Sequence, residues 1–198
     1  MRVTGVIQAG GRSTRMGGEP KALLELGGKR IIERVIDAVG SVLDDLLVVT
    51  NTPERYAFLG LPMVPDAFPE GGALGGIYTG LRAAGGEAAF TVACDMPFLH
   101  PAIVRMVVER ARDGDVVIPR TGDQLETMHA VYGKRCLGPM EARLRAGALK
   151  IVGFFPDVHV VELEAAGIAR HRAPEIAFMN VNTPAELARA RALVAEIG

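Results

Sequence analysis

The chain is poor in aromatic residues and almost neutral, and both scarcities limit its partners. It has no tryptophan, and only 5% of its 198 residues are aromatic, which disfavours a platform on which the bases of a single strand stack. Its formal net charge is −1, so no general positive field attracts nucleic acid. We therefore expect no nucleic-acid partner, and an anionic substrate must be held by charges that are local to its site.

Long apolar runs and metal-binding patterns are also absent from the sequence. No stretch approaches the roughly eighteen apolar residues that span a bilayer, and the first residues lack the features of a signal peptide. Cys94 and Cys136 lack metal-type spacing, and the four histidines form no H-x-H or H-x-x-x-H pair. These features predict a cytoplasmic protein with reduced thiols and no membrane partner, and they give a zinc centre little support.

What the sequence does contain is an alternation of short apolar runs and amphipathic segments. This order is typical of an α/β protein with a mainly parallel sheet flanked by helices. The length suits one domain over residues 1–198. The predicted strands are residues 3–8, 46–50, 61–65, 89–93, 115–119, 128–132 and 158–162.

Three helices are predicted from apolar spacing and from start signals. Apolar residues recur at helical spacing from Ile31 to Val39, and another helix is expected after Pro101. A last helix is expected at Thr183-Pro184-Ala185-Glu186, which combines an N-cap, a proline at the first helical position and a capping-box glutamate. The glycine-rich residues 66–80 have the composition of a functional loop or of a simple connector.

The segment after the first strand is the most informative part of the sequence. Gly10 and Gly11 follow the apolar run, and Arg12, Arg15 and Lys21 come soon after. Paired glycines let backbone N–H groups approach a ligand closely, and nearby cations add charge, so this segment suits a triphosphate. It is neither a Walker A loop nor a G-x-G-x-x-G fingerprint. The plain alternative is a surface loop with ordinary basic residues.

Two carboxylates follow predicted strands at the edge of the sheet where ligands gather. Asp66 follows the third predicted strand, and Asp95 follows the fourth. A carboxylate beside a triphosphate is placed to hold Mg²⁺, which binds few carboxylates and bridges phosphate oxygens. Asp95 could instead cap a helix that begins near Pro97 or Pro101. The neighbouring first loop favours the metal site.

Four segments of the chain carry a family resemblance. They are Ala9-Gly10-Gly11-Arg12-Ser13-Thr14-Arg15-Met16-Gly17 with Lys21, Asp66, Cys94-Asp95-Met96-Pro97 and Asn180-Val181-Asn182-Thr183-Pro184. Together they resemble the molybdenum cofactor guanylyltransferases over nearly the whole chain. The Ala-Gly-Gly turn is similar to that of guanylyl members, whereas cytidylyl relatives usually carry Ala-Ala-Gly. The resemblance implies a single-domain, Rossmann-like, glycosyltransferase-A-type nucleotidyltransferase with a mainly parallel mixed sheet.

The resemblance also implies which residues hold the nucleotide. These positions are Gln8, Ala9, Gly10, Gly11, Lys21, Asn51, Asp66 and Asp95. Lys21 would bind the phosphates, Asp95 would ligate Mg²⁺, and Arg15 would help to neutralise the triphosphate, so these three would be the catalytic residues. The family usually has leucine where this chain has Gln8, and its contact there is chiefly through the main chain.

On the acceptor side, Asn180 and Asn182 match the paired asparagines that the family places near the pterin substrate. Asn182-Thr183-Pro184 also makes an ordinary turn at a helix start. Lys150 matches one basic position of a segment that usually carries two. The nucleotide part would then cover about residues 1–100 and the pterin part about residues 101–198.

The implied reaction joins GTP to molybdopterin, or to Mo-molybdopterin, and gives the guanine dinucleotide cofactor and pyrophosphate. A phosphate monoester is largely dianionic near neutral pH because its second pKa is about 6, so no general base is required. The resemblance further implies contacts with other proteins of molybdenum cofactor biosynthesis and with molybdoenzyme chaperones. A cytidylyltransferase or sugar-phosphate nucleotidyltransferase of the same fold, and a non-catalytic GTP-binding module, stay open as alternatives.

Overall fold

The computed structural model describes residues 1–10 and 20–197, and this part of the chain alternates between strands and helices. The strands are Val3–Gln8 (β1), Glu25–Leu26 (β2), Lys29–Arg30 (β3), Leu46–Val49 (β4), Met63–Val64 (β5), Ala88–Ala93 (β6), Val116–Thr121 (β7), Gln124–Leu125 (β8), His129–Gly133 (β9) and Val160–Leu163 (β10). The α-helices are Ile31–Gly40 (α1), Gly72–Ala83 (α2), Pro101–Glu109 (α3), Leu137–Arg145 (α4), Ala165–Ala169 (α5), Pro174–Ala177 (α6) and Pro184–Ile197 (α7). Short 3₁₀ turns occupy Lys21–Leu23, Pro53–Arg55, Ala57–Leu59, Lys134–Cys136 and Ile151–Asp157.

A mixed, mainly parallel sheet forms the centre of the fold, as predicted. Its order is β10-β7-β9-β6-β1-β4-β5, with β8 paired to β7, and β2 and β3 form a separate hairpin. β1 pairs in parallel with β4 and β6, and β4–β5 and β7–β10 are also parallel. β9 runs antiparallel to both of its neighbours in this order. The carboxyl ends of β5, β4, β1 and β6 therefore lie side by side at one edge of the sheet.

The strand predictions are confirmed in position, with ends that shift by no more than two residues. β2, β3 and β8 are only two residues long, which is too short for a periodic pattern to reveal. The expectation of a loop over residues 66–80 is wrong for most of that stretch, because α2 begins at Gly72. Its glycines permit close packing on the sheet, since a Cβ on Gly80 would overlap the Cγ1 of Val6.

Helices cover both faces of the sheet, because successive side chains of a strand point to opposite sides. Ile7 of β1 lies in one buried cluster with Val35 of α1 and Ile103 of α3. Val6, its neighbour in β1, lies in a second buried cluster with Ile77 of α2. The predicted helices after Arg30 and after His100 are thus confirmed, and each buries its apolar face against the sheet.

The C-terminal helix is confirmed together with its start signal. The backbone N–H of Glu186 donates to Thr183 Oγ1 at 3.2 Å, and the N–H of Thr183 donates to Glu186 Oε2 at 2.8 Å, which is a capping box. Leu187 of α7 lies in a third buried cluster with Leu26 and Phe98, so α7 packs on the β2–β3 hairpin. Within residues 1–10 and 20–197, the helices are too short or too polar to cross a membrane.

Candidate active site

Polar side chains from four neighbouring strands meet at the carboxyl edge of the sheet. Gln8 ends β1, Asn51 follows β4, Asp66 follows β5 and Asp95 follows β6. Two adjoining cavities open there, of about 530 Å³ and 440 Å³. Both are lined by Gly10, Asn51, Pro69, Cys94 and Asp95. The strand ends named by the sequence therefore do converge on one region.

The start of the first loop extends the pairing of the central strand. The N–H of Ala9 donates to the carbonyl of Val49 at 2.9 Å, and the N–H of Cys94 donates to the carbonyl of Gln8 at 3.1 Å. Gly10 then lines both cavities. Gly11, Arg12 and Arg15 lie outside the described residues.

Lys21 begins a 3₁₀ turn and lines the first cavity. Its Nζ donates a hydrogen bond of 2.7 Å to Asn182 Oδ1. Arg55 lines the same cavity from the turn after β4, so two cationic side chains face this space. An ammonium and a guanidinium are the side chains that bind phosphate oxygens.

Asp66 is fixed where the chain turns from β5 towards α2. Asn51 Oδ1 accepts the N–H of Asp66 at 2.8 Å. Asp66 Oδ1 in turn accepts the N–H of Phe68 and the hydroxyl of Thr79, each at 2.9 Å. Thr79 belongs to α2 and is buried. The Asp66 carboxylate is thus held on the wall of the second cavity by the backbone N–H of Phe68 and the side chain of Thr79.

Gln8 brings a side-chain amide to the second cavity, which it lines together with Gly72 and Gly76 of α2. Its Nε2 is buried and finds no hydrogen-bond partner among the described residues. A Cβ on Gly76 would lie only 2.7 Å from the Cδ of Gln8, so the helix leaves just enough room for this amide. A buried amide without a partner is costly, and a ligand that supplies the missing partner would remove that cost.

Asp95 lies at the boundary of the two cavities and lines both. Burial raises the pKa of its carboxyl above the usual range, while the nearby positive charge of Lys21 acts in the opposite direction. The alternative role of Asp95 as a helix cap is wrong for α3. That helix begins at Pro101, and its cap is His100, whose Nδ1 accepts the N–H of Ala102 at 3.2 Å.

The segment of the paired asparagines is tied directly to the end of β6. The N–H of Val181 donates to the carbonyl of Asp95 at 2.9 Å. Asn180 and Asn182 both line the second cavity, whereas Lys150 is exposed and lines neither of the two cavities. Of the residues predicted on the acceptor side, the structure therefore brings the two asparagines to the site and leaves Lys150 outside its lining.

Some residues of the site could not be found from the sequence. Arg55 ends one 3₁₀ turn and Tyr56 links it to the next, in a segment without a motif. Gly76 and Thr79 belong to a helix that the glycine-rich composition concealed. Burial raises the pKa of Tyr56 to about 12, so its hydroxyl stays protonated at neutral pH. The run of glycines was the one signal in the sequence that pointed to this wall of the cavity.

Comparison with known proteins identifies the same family along the whole chain. The MobA-like NTP transferase domain matches residues 5–158. A probable molybdenum cofactor guanylyltransferase of Pelotomaculum thermopropionicum is 40% identical, over 98% of this chain and 94% of its own length. A molybdenum cofactor guanylyltransferase of Desulfosudis oleivorans is 38% identical, over 97% and 96%.

A solved structure agrees with these sequence relatives. The molybdopterin-guanine dinucleotide biosynthesis protein A of Archaeoglobus fulgidus superposes with a TM-score of 0.83 at 25% identity, covering 99% of this chain and 100% of that one. Because the family model matches most of the chain and the relatives match nearly all of it, the chain belongs to the molybdenum cofactor guanylyltransferase family.

Proposed function

We propose that the protein transfers GMP from GTP to the terminal phosphate of molybdopterin or Mo-molybdopterin and releases pyrophosphate. The names of the curated relatives support this reaction. The observation that carries it is the position of Asp95, which lines both cavities, the first together with Lys21 and the second together with Asn182. GTP bound across both cavities, with its triphosphate beside Lys21 and its base in the second cavity, would have its α-phosphate near this carboxylate, where the terminal phosphate of the pterin would meet it.

The chemistry is a substitution at phosphorus. A terminal phosphate oxygen of the pterin attacks the α-phosphorus of GTP and forms a new P–O bond. The bond from the α-phosphorus to the oxygen that bridges to the β-phosphate breaks, and pyrophosphate leaves with that electron pair. The attacking phosphate is largely dianionic near pH 7, since its second pKa is about 6, so no side chain has to remove a proton.

The positive charges of the site bind and orient the triphosphate. Lys21 would contact its phosphate oxygens, and Arg55 adds a second cation to the same cavity. Arg15 would help to neutralise the triphosphate, as the family resemblance implies. These groups stabilise the charge that develops on the phosphoryl oxygens, which is the main source of catalysis when no covalent step involves the protein.

The described residues fit a magnesium ion better than a metal held by the protein alone. No group of three or more His, Cys, Asp or Glu side chains gathers within residues 1–10 and 20–197. Asp95 offers one partly buried carboxylate beside the proposed phosphate site, and Mg²⁺ is usually bound by one or two carboxylates together with substrate phosphates. When bound, Mg²⁺ would neutralise phosphate charge and help pyrophosphate to leave.

The guanine base would occupy the second cavity. Gln8, Asn51 and Asp66 would surround it, with the main chain of Ala9, Gly10 and Gly11 beside it. Asn180 and Asn182 would face the pterin phosphate, and Lys150 would reach this substrate only from the rim. Residues up to about 100 thus supply the nucleotide side, while the rest supply the acceptor side.

We propose the cytoplasm as the compartment, because Cys94 and Cys136 are both free thiols. Other proteins of molybdenum cofactor biosynthesis and molybdoenzyme chaperones are the proposed macromolecular partners. The cytidylyl and sugar-phosphate alternatives share the fold, but the names of the relatives favour the guanylyl reaction. A non-catalytic GTP-binding module would bind GTP without releasing pyrophosphate.

The test is to identify the product. The purified protein is incubated with MgGTP and freshly prepared molybdopterin, and the reaction is analysed by mass spectrometry for the guanine dinucleotide and for pyrophosphate. Lys21→Ala is expected to lower kcat/KM at least about 100-fold while the protein stays folded. Formation of neither product by the folded wild type would contradict the proposal, and near-normal kinetics of the folded variant would remove Lys21 from it.

A further inference from the structure

A hydrogen bond joins the two cavities of the site across their boundary. Lys21 lines the first cavity and Asn182 lines the second. Although 161 residues separate them in the chain, Lys21 Nζ donates to Asn182 Oδ1 at 2.7 Å. Both side chains are half-buried. A charged donor that is partly shielded from water makes a stronger hydrogen bond than an exposed neutral one.

The Asn182 end of this bond is held firmly by its own surroundings. Glu186 Oε2 accepts the N–H of Asn182 at 2.7 Å and that of Thr183 at 2.8 Å. On the preceding residue, the N–H of Val181 donates to the carbonyl of Asp95 at 2.9 Å. The loop is therefore fixed both to α7 and to the end of β6, and Asn182 Oδ1 is an acceptor at a set position.

The Lys21 end is the one that needs to be oriented. A lysine side chain has a flexible four-carbon stem and loses much rotamer freedom when it is held in one place. Its ammonium has three N–H donors, so one can stay on Asn182 while two remain for phosphate oxygens. A cation that is ordered before the ligand arrives costs less entropy on binding.

We infer that Asn182 is a positioning residue for Lys21, so that the acceptor-side loop helps to set the affinity for the nucleotide. This inference rests on the proposed function, in which Lys21 binds the triphosphate and Asn182 faces the acceptor. It adds a second role for Asn182, which acts on GTP through the lysine even when no acceptor is present. Asn180 has no such role among the described residues, where its Nδ2 donates only to the carbonyl of Phe178, at 3.5 Å.

A double-mutant cycle tests the inference. The Kd for MgGTP is measured by calorimetry, without acceptor, for the wild type, Asn182→Ala, Lys21→Ala and the double variant. Asn182→Ala is expected to raise the Kd about three- to ten-fold, the size of a typical net hydrogen bond. In the Lys21→Ala background it should change the Kd by less than about two-fold, because the two residues act as one unit.

Thr183→Ala is the matched control in the same loop, because Thr183 lines neither cavity and the N–H bonds of Asn182 and Thr183 to Glu186 Oε2 remain. It should leave the Kd unchanged in both backgrounds. The inference is overturned if Asn182→Ala has no effect on the Kd, or if its effect is the same in both backgrounds, because the residue would then act directly or through the fold.

A second measurement separates this inference from the proposed function. The rate at which Lys21 is acetylated in the nucleotide-free protein is followed by mass spectrometry. Asn182→Ala is expected to raise this rate several-fold, whereas Thr183→Ala leaves it unchanged. If the wild type fails to bind GTP, the proposed function fails, but the lysine reactivity still decides whether Asn182 holds Lys21. Equal rates in all three proteins would overturn the inference.

Discussion

The amide of Gln8 lies against the helix backbone at Gly76, where an added Cβ would overlap Gln8 Oε1 and lie 2.7 Å from Gln8 Cδ. The two residues form a matched pair, because glycine at position 76 leaves space for the Gln8 side-chain amide where it lies at the end of β1. In the proposed complex, the Nε2 of Gln8, which has no hydrogen-bond partner within residues 1–10 and 20–197, would donate to an acceptor of the guanine base. The side chain would thereby add a contact to the main-chain contacts of the same segment.

Substitution of Gly76 tests this pair. In Gly76→Ala the flexible end of Gln8 has to move away, while alanine favours the helix, so the free energy of unfolding should change by less than about 1 kcal/mol. The Kd for GTP should rise about three-fold or more, as expected when a hydrogen bond is lost. Urea unfolding and calorimetry measure the two quantities.

Gly80→Ala is the matched control on the same face of α2. Its Cβ would overlap the Cγ1 of Val6, a branched and stiff side chain in the core, so it should destabilise the fold by about 1–3 kcal/mol. The Kd of the fraction that stays folded should be normal. An unchanged Kd for Gly76→Ala would show that the Gln8 amide takes no part in nucleotide binding.

Thr79 is expected to support both the fold and the site. Its hydroxyl donates to Asp66 Oδ1 at 2.9 Å and accepts the N–H of Ala67 at 3.0 Å. Thr79→Val keeps the shape of the side chain but removes the acceptor of the Ala67 N–H and one of the two donors to Asp66 Oδ1. This loss should cost about 1–3 kcal/mol of unfolding free energy. The Kd for GTP should also rise, since Asp66 loses an orienting contact. A loss of stability with an unchanged Kd would speak against a role for Asp66 at the nucleotide.

Asp95→Asn should separate activity from stability. The folded state raises the pKa of Asp95 above its ordinary value of 3.8, mainly through burial. The folded protein therefore favours the protonated carboxyl of Asp95. This preference stabilises the fold fully below pH 3.8, and the stabilisation is lost as the pH rises through the folded pKa. Metal-free Asp95→Asn should consequently melt no lower than the wild type at pH 7, while magnesium-dependent transfer falls at least about 100-fold.

The pH dependence of magnesium binding gives an independent check on Asp95. Because the metal binds the deprotonated carboxylate, the affinity of the wild type for Mg²⁺ should fall as the pH is lowered towards the raised pKa. Removal of Mg²⁺ by a chelator should stop the reaction. Retained transfer activity in Asp95→Asn, accompanied by a lower melting temperature, would mean that Asp95 has only a structural role.

Glu186 is expected to stabilise α7 through its charge and its capping geometry. The hydrogen bond from the backbone of Asn182 is the main cause that holds the pKa of Glu186 below its ordinary value of 4.5. Its contribution is therefore present above pH 4.5 and is lost as the pH falls through the folded pKa. Glu186→Ala should cost about 0.5–2 kcal/mol, and Glu186→Gln, which keeps an acceptor, should cost less at pH 7. Equal losses for both variants would contradict this account.

The sequence was sufficient to predict the elements whose pattern is local. The alternation of β1 and α1, the strand-end positions of Asp66 and Asp95, and the capping box at Thr183 all depend on residues close together in the chain. The contact between Lys21 and Asn182 could not be predicted, because it depends on how the loop before α7 packs against the 3₁₀ turn at Lys21–Leu23. The same holds for Gln8 and Gly76, whose fit is decided by the distance between a strand and a helix.

Composition misled the prediction of one segment, and the family resemblance named one residue that does not line the cavities. Glycine-rich residues 72–80 favour a loop by propensity, yet they form part of α2 because close packing on β1 outweighs that preference. Lys150 matches a basic position of the family, but it lies outside the lining of the two cavities.

The most direct test of the account is the initial rate of pyrophosphate release with GTP and, separately, with CTP, in the presence of Mg²⁺ and molybdopterin. We expect release with GTP that depends on the pterin, and release with CTP at least about ten-fold slower, since ten-fold corresponds to 1.4 kcal/mol, about one hydrogen bond to the base. Faster release with CTP, or no release with either nucleotide despite tight binding of GTP, would contradict a guanylyltransferase.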